Sequence, residues 1–273
     1  MHRARFASKA PRGALLAVSF LLLAGSRATA GVSIAIVPPY AEKLVAGGTS
    51  VSDTISFTNR GSEPVLVSVD LSDFRVGDQG DVSEEPPGSQ DTSLVPYLRI
   101  SPTSMRVAPN QQASFRYVVE TPEEFRQLRA MLYFSSLPET PAKANQVRIV
   151  PRMGVPLYVE NTKAGQASLR VDHLEWQRSA ESPDQLLLEL TTENQGARNI
   201  RPTGFVSVRT RDGKFERSFP FNEGREPVLP GQMRQWRLAF GPVPTGELDV
   251  QLRVATSLRT SYESRTWVPA AND

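Results

Sequence analysis

The stretch that most constrains this chain is Gln146 to Glu160, QVRIVPRMGVPLYVE. Apolar residues stand at Val147, Ile149, Met153, Val155, Leu157 and Val159, every second position save for Pro151. That is the period of a strand with one apolar face. Pro151, Gly154 and Pro156 would each break a helix over the same span. Two prolines also lack the N–H that a central strand must donate, so the strand is expected along a sheet edge. A long apolar edge is either covered by its own chain or used to pair with another. Both outcomes are open at this level, because one face of any sandwich strand must also be buried in its own core.

The N-terminus sets the compartment. Arg3, Arg5, Lys9 and Arg12 form a basic leader, Ala14 to Ala24 is apolar, and Ala28-Thr29-Ala30 is a small-residue cleavage site. Residues 1–30 therefore read as a cleaved signal peptide directing export to the periplasm, since the apolar run is too short to span a bilayer. That leader carries Arg27 as well and no acid; taking its five bases from 31 leaves 26 against 29 acidic residues, a net charge of −3. The basic sequence pI thus belongs to the leader and gives no support to nucleic-acid binding. There is no cysteine, so apolar packing and strand pairing must hold the mature chain without disulfides.

Beyond residue 30 the rhythm is of short strands. Val32–Val37, Val51–Asn59, Val65–Leu71, Leu98–Pro102, Thr103–Gln111, Ala113–Glu120 and Met131–Leu137 precede the edge strand, separated by Gly, Pro and Asn turns. Gly77 to Gln90, acidic and rich in Gly and Pro, reads as a mobile surface loop. Thr121 to Gln127 reads as one helical turn, with Thr121 as cap and Glu123 and Glu124 at its start. After a polar linker the rhythm restarts at Ser168–Trp176, Leu186–Asn194, Thr203–Thr210, Phe215–Phe221, Arg234–Phe240, Leu248–Ala255 and Ser261–Val268. The Asp212-Gly213 pair marks a tight hairpin. The expectation is an all-β protein of two tandem immunoglobulin-like sandwiches, residues 31–161 and 166–273.

Enzyme chemistry finds few footholds. His173 is the one histidine outside the leader, and no Gly-x-Ser-x-Gly accompanies it, so a nucleophilic triad is not expected. A zinc site lacks ligands, no Gly-rich phosphate loop follows a strand, and no cofactor or small-molecule substrate is indicated. Trp176, Trp236 and Trp267 could face a polysaccharide, but single aromatics on strands more often serve the core. Arg201, Arg234 and Arg237 could form a basic face, although acids and bases are equal in number after Gly165, fourteen of each, as in a solvated, ion-paired surface.

The segments ISPTSMRVAPNQQASFRYVV, EEFRQLRAMLYFSSLP and VRIVPRMGVPLYV together resemble the N-terminal domain of the periplasmic chaperones of pilus (fimbria) assembly. The resemblance covers roughly residues 32–160, ending in the apolar-Tyr pair Leu157-Tyr158. It implies a non-enzymatic chaperone that binds a secreted or pilus subunit by donor-strand complementation, with an outer-membrane usher as a second partner. Alternate side chains of the strand, here Val147, Ile149, Met153, Val155 and Leu157, would fill the groove of the incomplete subunit. The family also holds the subunit's terminal carboxylate between two basic side chains. Val155 stands where its strand lysine is found, and no base lies between Val32 and Ala41, which leaves Arg152 and Lys43 as the nearest substitutes. The alternative is a structural or adhesive component of a surface assembly, its Ig-like domains acting as spacers.

Overall fold

The computed structural model describes residues 33–139, 150–256 and 259–271. The first half holds β1 (Ile34–Val37), β2 (Ala41–Val45), β3 (Ser50–Asn59), β4 (Val65–Val76), β5 (Val82–Glu85), β6 (Leu98–Ser101), β7 (Ser104–Val107), β8 (Gln112–Glu120), β9 (Gln127–Pro138) and β10 (Arg152–Asn161). One sheet runs β1-β3-β8-β6; the other runs β2-β10-β9-β4-β5, with β7 also pairing β4. Alternation decides the inner faces. Along β8 the buried residues are Ala113, Phe115, Tyr117 and Val119, with polar or partly exposed neighbours between them. Phe134 of β9 meets Phe115 edge-on at 5.3 Å and stacks near Phe57 at 6.5 Å, so rings from both sheets fill the middle of the core.

The second half holds β11 (Leu169–Arg178), β12 (Leu186–Asn194), β13 (Thr203–Thr210), β14 (Glu216–Phe221), β15 (Met233–Phe240), β16 (Leu248–Thr256) and β17 (Arg259–Val268). Its sheets are β11-β12-β15 and β14-β13-β16-β17, and its core is centred on Leu186, Leu188, Val206, Val208, Val250 and Leu252. The hairpin between β13 and β14 turns at Gly213, where φ is +69°. The all-β architecture of two immunoglobulin-like sandwiches is the one the strand rhythm indicates. Trp236 is core, its Nε1–H donating to Thr192 Oγ1 at 3.0 Å; Trp176 packs against the same core, whereas Trp267 is exposed with Arg211 stacked 5.0 Å over its ring.

Two local expectations are corrected, and one strand is added. Gly77–Gln90 is no free loop, because β5 pairs with β4 from Val76↔Val82 to Asp73↔Glu85. The buried Asp73 carboxylate then accepts the Gln90 N–H and the Ser93 hydroxyl at 2.9 and 2.6 Å, tethering the far end. Thr121 does not cap a helix: its hydroxyl accepts the Thr49 N–H at 3.1 Å and lies within hydrogen-bond distance of the Ala46 and Thr49 carbonyls. The strand β2 has no counterpart in the sequence reading, since AEKLV carries no clean alternation over its five residues.

A small third cluster joins the halves. Phe74, Met131 and Tyr158 on the outer face of the β10-β9-β4 sheet pack against Leu229 from the second half, with Phe74 and Tyr158 edge-on at 5.9 Å. The tip of the β4–β5 hairpin also crosses over. The Asp78 carbonyl accepts the Gln235 N–H at 2.6 Å, on the edge strand β15. Gly80, at φ +86°, lies so close to the Arg234 guanidinium that an added Cβ would fall within 1.9 Å of three of its atoms.

Candidate functional site

The edge strand foreseen from the sequence is β10, and its two halves differ. Its full length pairs antiparallel with β9, from Arg152↔Ser135 to Glu160↔Gln127. On the other side, β2 pairs in parallel only with Leu157–Asn161. Among the described residues no strand lies against the outer side of Arg152–Pro156.

Hydrogen-bond phase shows which groups point there. Ser136 N–H donates to Pro151 O at 3.0 Å and Asn161 N–H to Arg126 O at 2.9 Å. In that register the odd-numbered residues of β10 bond to β9 and the even-numbered ones turn outward. Tyr158 and Glu160 turn toward β2, and Thr162 continues the phase by donating to Val45 O at 2.9 Å. Arg152 and Gly154 present their N–H and C=O on the open side. Pro156 falls on the same phase, where its missing N–H removes nothing from the β9 ladder, which is why a proline is tolerated inside this strand.

The side chains follow the opposite phase. Val155, Leu157 and Val159 point into the sandwich and are at most 1% exposed, each stabilising it by about 1.5–3 kcal/mol on burial. Met153 shares their face opposite Phe134 but is 40% exposed, and Val150 just before the strand is 43% exposed. Val155 and Leu157 are therefore core residues, a correction to their expected place at a partner's surface. Met153 is the accessible member of the set, and Val147 and Ile149 lie outside the described residues.

Solved structures similar to this chain include several bacterial chaperones. The Escherichia coli chaperone DraB is 18% identical, over 86% of this chain and 96% of its own, with a TM-score of 0.44. The structure of Salmonella enterica SafA pilin in complex with the SafB chaperone matches at 18% identity, over 88% and 99%, with a TM-score of 0.43. The CsuC–CsuE chaperone–tip adhesion subunit pre-assembly complex of Acinetobacter baumannii matches at 11%, over 88% and 100%, with a TM-score of 0.44. No protein-family model and no curated protein matches the sequence.

The substitute basic pair is not assembled. Lys43 lies opposite Val159, seven residues along β10 from Arg152, or about 23 Å at strand rise. Each is also already engaged. Lys43 is bonded to Asp53, and Arg152 forms a bidentate pair with Glu84 at 2.5 and 2.7 Å while stacking 3.5 Å over Tyr133. Hydrogen bonding to Arg152 holds the Glu84 carboxyl below its ordinary range and raises Arg152.

The cations of the cleft between the halves come from the second domain. A cavity of about 360 Å3 is walled by Tyr40, Phe74, Met131 and Tyr158, with Arg201 and Arg234 on its far side. Arg201 stacks 3.9 Å over Tyr40 and pairs with Glu42 at 2.7 Å, yet its buried Nη2 has no acceptor. Arg234, 6% exposed, pairs with Glu226 and leaves its buried Nε without one. Burial raises the Tyr158 hydroxyl above its ordinary value. Both arginines were visible in the sequence only as members of a scattered basic face; their convergence on Tyr40 and Tyr158 depends on how the two sandwiches dock.

Proposed function

We propose that this protein is an exported, non-enzymatic chaperone that binds a secreted β-rich subunit, of the pilus type, by adding that subunit's strand to the open half of β10. The observation that carries the reading is the outward-facing N–H and C=O of Arg152 and Gly154 on a rim that no described strand covers. An exposed rim of this sort is a template for another chain. The apolar phase supports it further. Val155 and Leu157 hold the strand in its own core, and the same alternation runs on through Met153 to Ile149 and Val147, which would fill a subunit's groove. Arg201 and Arg234, with unmatched donors in the adjoining cleft, take the role first assigned to Lys43 and Arg152 and would meet a terminal carboxylate. The basic, apolar, A-x-A leader supports delivery to the periplasm.

Co-expression in the periplasm with a secreted subunit, followed by hydrogen exchange on the purified complex, tests the reading. The Arg152 and Gly154 amides should gain protection, and Met153→Asp should abolish capture while leaving the fold intact. Unchanged exchange at these two amides in a stable complex would place the partner elsewhere and end the strand-addition reading. Fractionation addresses the alternative role: a spacer or adhesive component would co-sediment with surface assemblies, and a chaperone stays in the soluble periplasmic fraction.

A further inference from the structure

A larger cavity at the domain junction, about 680 Å3, shares no lining residue with the first and is lined by Arg126 and Arg129 together with Gln127, Gln166, Gln195 and Ser168. Its wall contains two guanidinium groups and no carboxylate. Arg129 is the unusual one. It projects from β9 on the face that carries Met131, it lies 5.8 Å over the Phe74 ring, and its Nε–H is buried with no acceptor. No described acid pairs with it. Asp73, the acid whose field it feels, already accepts the Gln90 N–H and the Ser93 hydroxyl. Burial accordingly pulls the Arg129 guanidinium below its ordinary value, as expected for a cation removed from water without a counter-charge. The same seam holds further buried nitrogens without acceptors, at Arg198 Nε and Asn199 Nδ2. Surplus donors beside an acid-free cavity call for acceptor oxygens.

We infer that this cavity is a binding site for a small oxyanion, a carboxylate or phosphate group held by Arg129 and Arg126, with Gln166 and Ser168 beside them to bond a polar body; the Gln127 and Gln195 amides are already engaged, donating to Asn199 and Glu193. A guanidinium meets either group through paired, charge-assisted N–H···O bonds, and the cavity's size lies in the range of small-molecule sites. The site is separate from the β10 rim and does not depend on strand addition.

Titration calorimetry on the mature protein tests this, with sodium phosphate in one arm and sodium citrate in the other, each against sodium chloride at matched ionic strength. Saturable binding in one arm is expected, and which arm responds assigns phosphoryl or carboxylate chemistry. Arg129→Gln should weaken it at least tenfold and Arg126→Gln severalfold, while Arg217→Gln, on the exposed face of β14, should leave it unchanged. Should Arg129→Gln not fold, Arg126→Gln carries the comparison. Absence of saturable binding in both arms, equal heats from chloride, or full affinity in the folded arginine variants would overturn the proposal.

Discussion

The two halves of β10 share one backbone, one apolar phase and one partner in β9, yet they sit in different physical states. Leu157–Asn161 is paired on both sides, by β9 and by β2, and its inward side chains are sealed. Arg152–Pro156 is paired on one side, and Met153, on the sealed face's own phase, remains exposed. One half of the strand is thus fixed in its domain from both sides, and the other carries a rim held in extended form with no described strand against it; on the proposed function, that rim is preorganised for a partner. Preorganisation of that kind lowers the ordering cost of association. It also explains why apolar alternation alone could not distinguish core from contact, because the same pattern runs through both.

Substitutions can break this contrast. The largest effect is expected in the sealed half, where Leu157→Ala should cost about 2–5 kcal/mol by leaving a cavity, read from denaturant unfolding. Met153→Asp, two steps along the same phase in the open half, should shift stability by no more than about 0.5 kcal/mol and act on partner capture. Equal losses from the two would erase the distinction.

Next in size is the hairpin that joins the open half to the second domain. Gly80→Val would force a side chain into the Arg234 guanidinium at a left-handed backbone position, for about 1–3 kcal/mol. Hydrogen exchange should then quicken at the Gln235 amide, which donates to Asp78, with no change along β10. Faster exchange along both halves of β10 would mean that their difference depends on the hairpin.

A subtler contrast lies in pH. Glu160, in the sealed half, accepts the Asn199 N–H at 2.5 Å, but burial raises its carboxyl above the ordinary value near 4.5. It therefore favours folding when protonated, and its contribution falls as pH rises from 4.5 through its folded pKa. Glu84, bonded to Arg152 of the open half, is lowered; its contribution is present above 4.5 and is lost as pH falls through its folded pKa. Glu160→Gln and Glu84→Gln should thus change the stability-versus-pH profile in opposite directions, measured by urea midpoints between pH 3 and 7. The smallest effect is expected at Lys43, whose pair with Asp53 is partly exposed. Lys43→Ala should cost less than about 1 kcal/mol and leave partner capture intact, whereas a loss of capture would restore it to the site.

Much of this was legible from residues alone. Strand positions in both domains follow from alternation and turn chemistry, and Pro156 correctly marked β10 as a strand with an unpaired side, whereas Pro151 lies just before the strand on the phase that faces β9. Failures fall where long-range partners decide. Gly77–Gln90 looked free because its composition is that of a loop, but Asp73 and Gln235, distant or out of phase in sequence, hold it at both ends. Lys43 and Arg152 looked like a pair because each was the nearest base to a family position, and only the β2–β10 register reveals about seven residues of strand between them.

By itself the sequence determined the local periodicities: which segments extend, where they turn, and which face of each is apolar, all set by residue type at spacings of one or two. The docking of β2 against half of β10, the closing of Tyr40 and Tyr158 around Arg201, and the uncompensated charge of Arg129 were decided by tertiary structure. Each depends on the register and placement of segments far apart in the chain, and register is an outcome of the whole packing rather than of any one stretch.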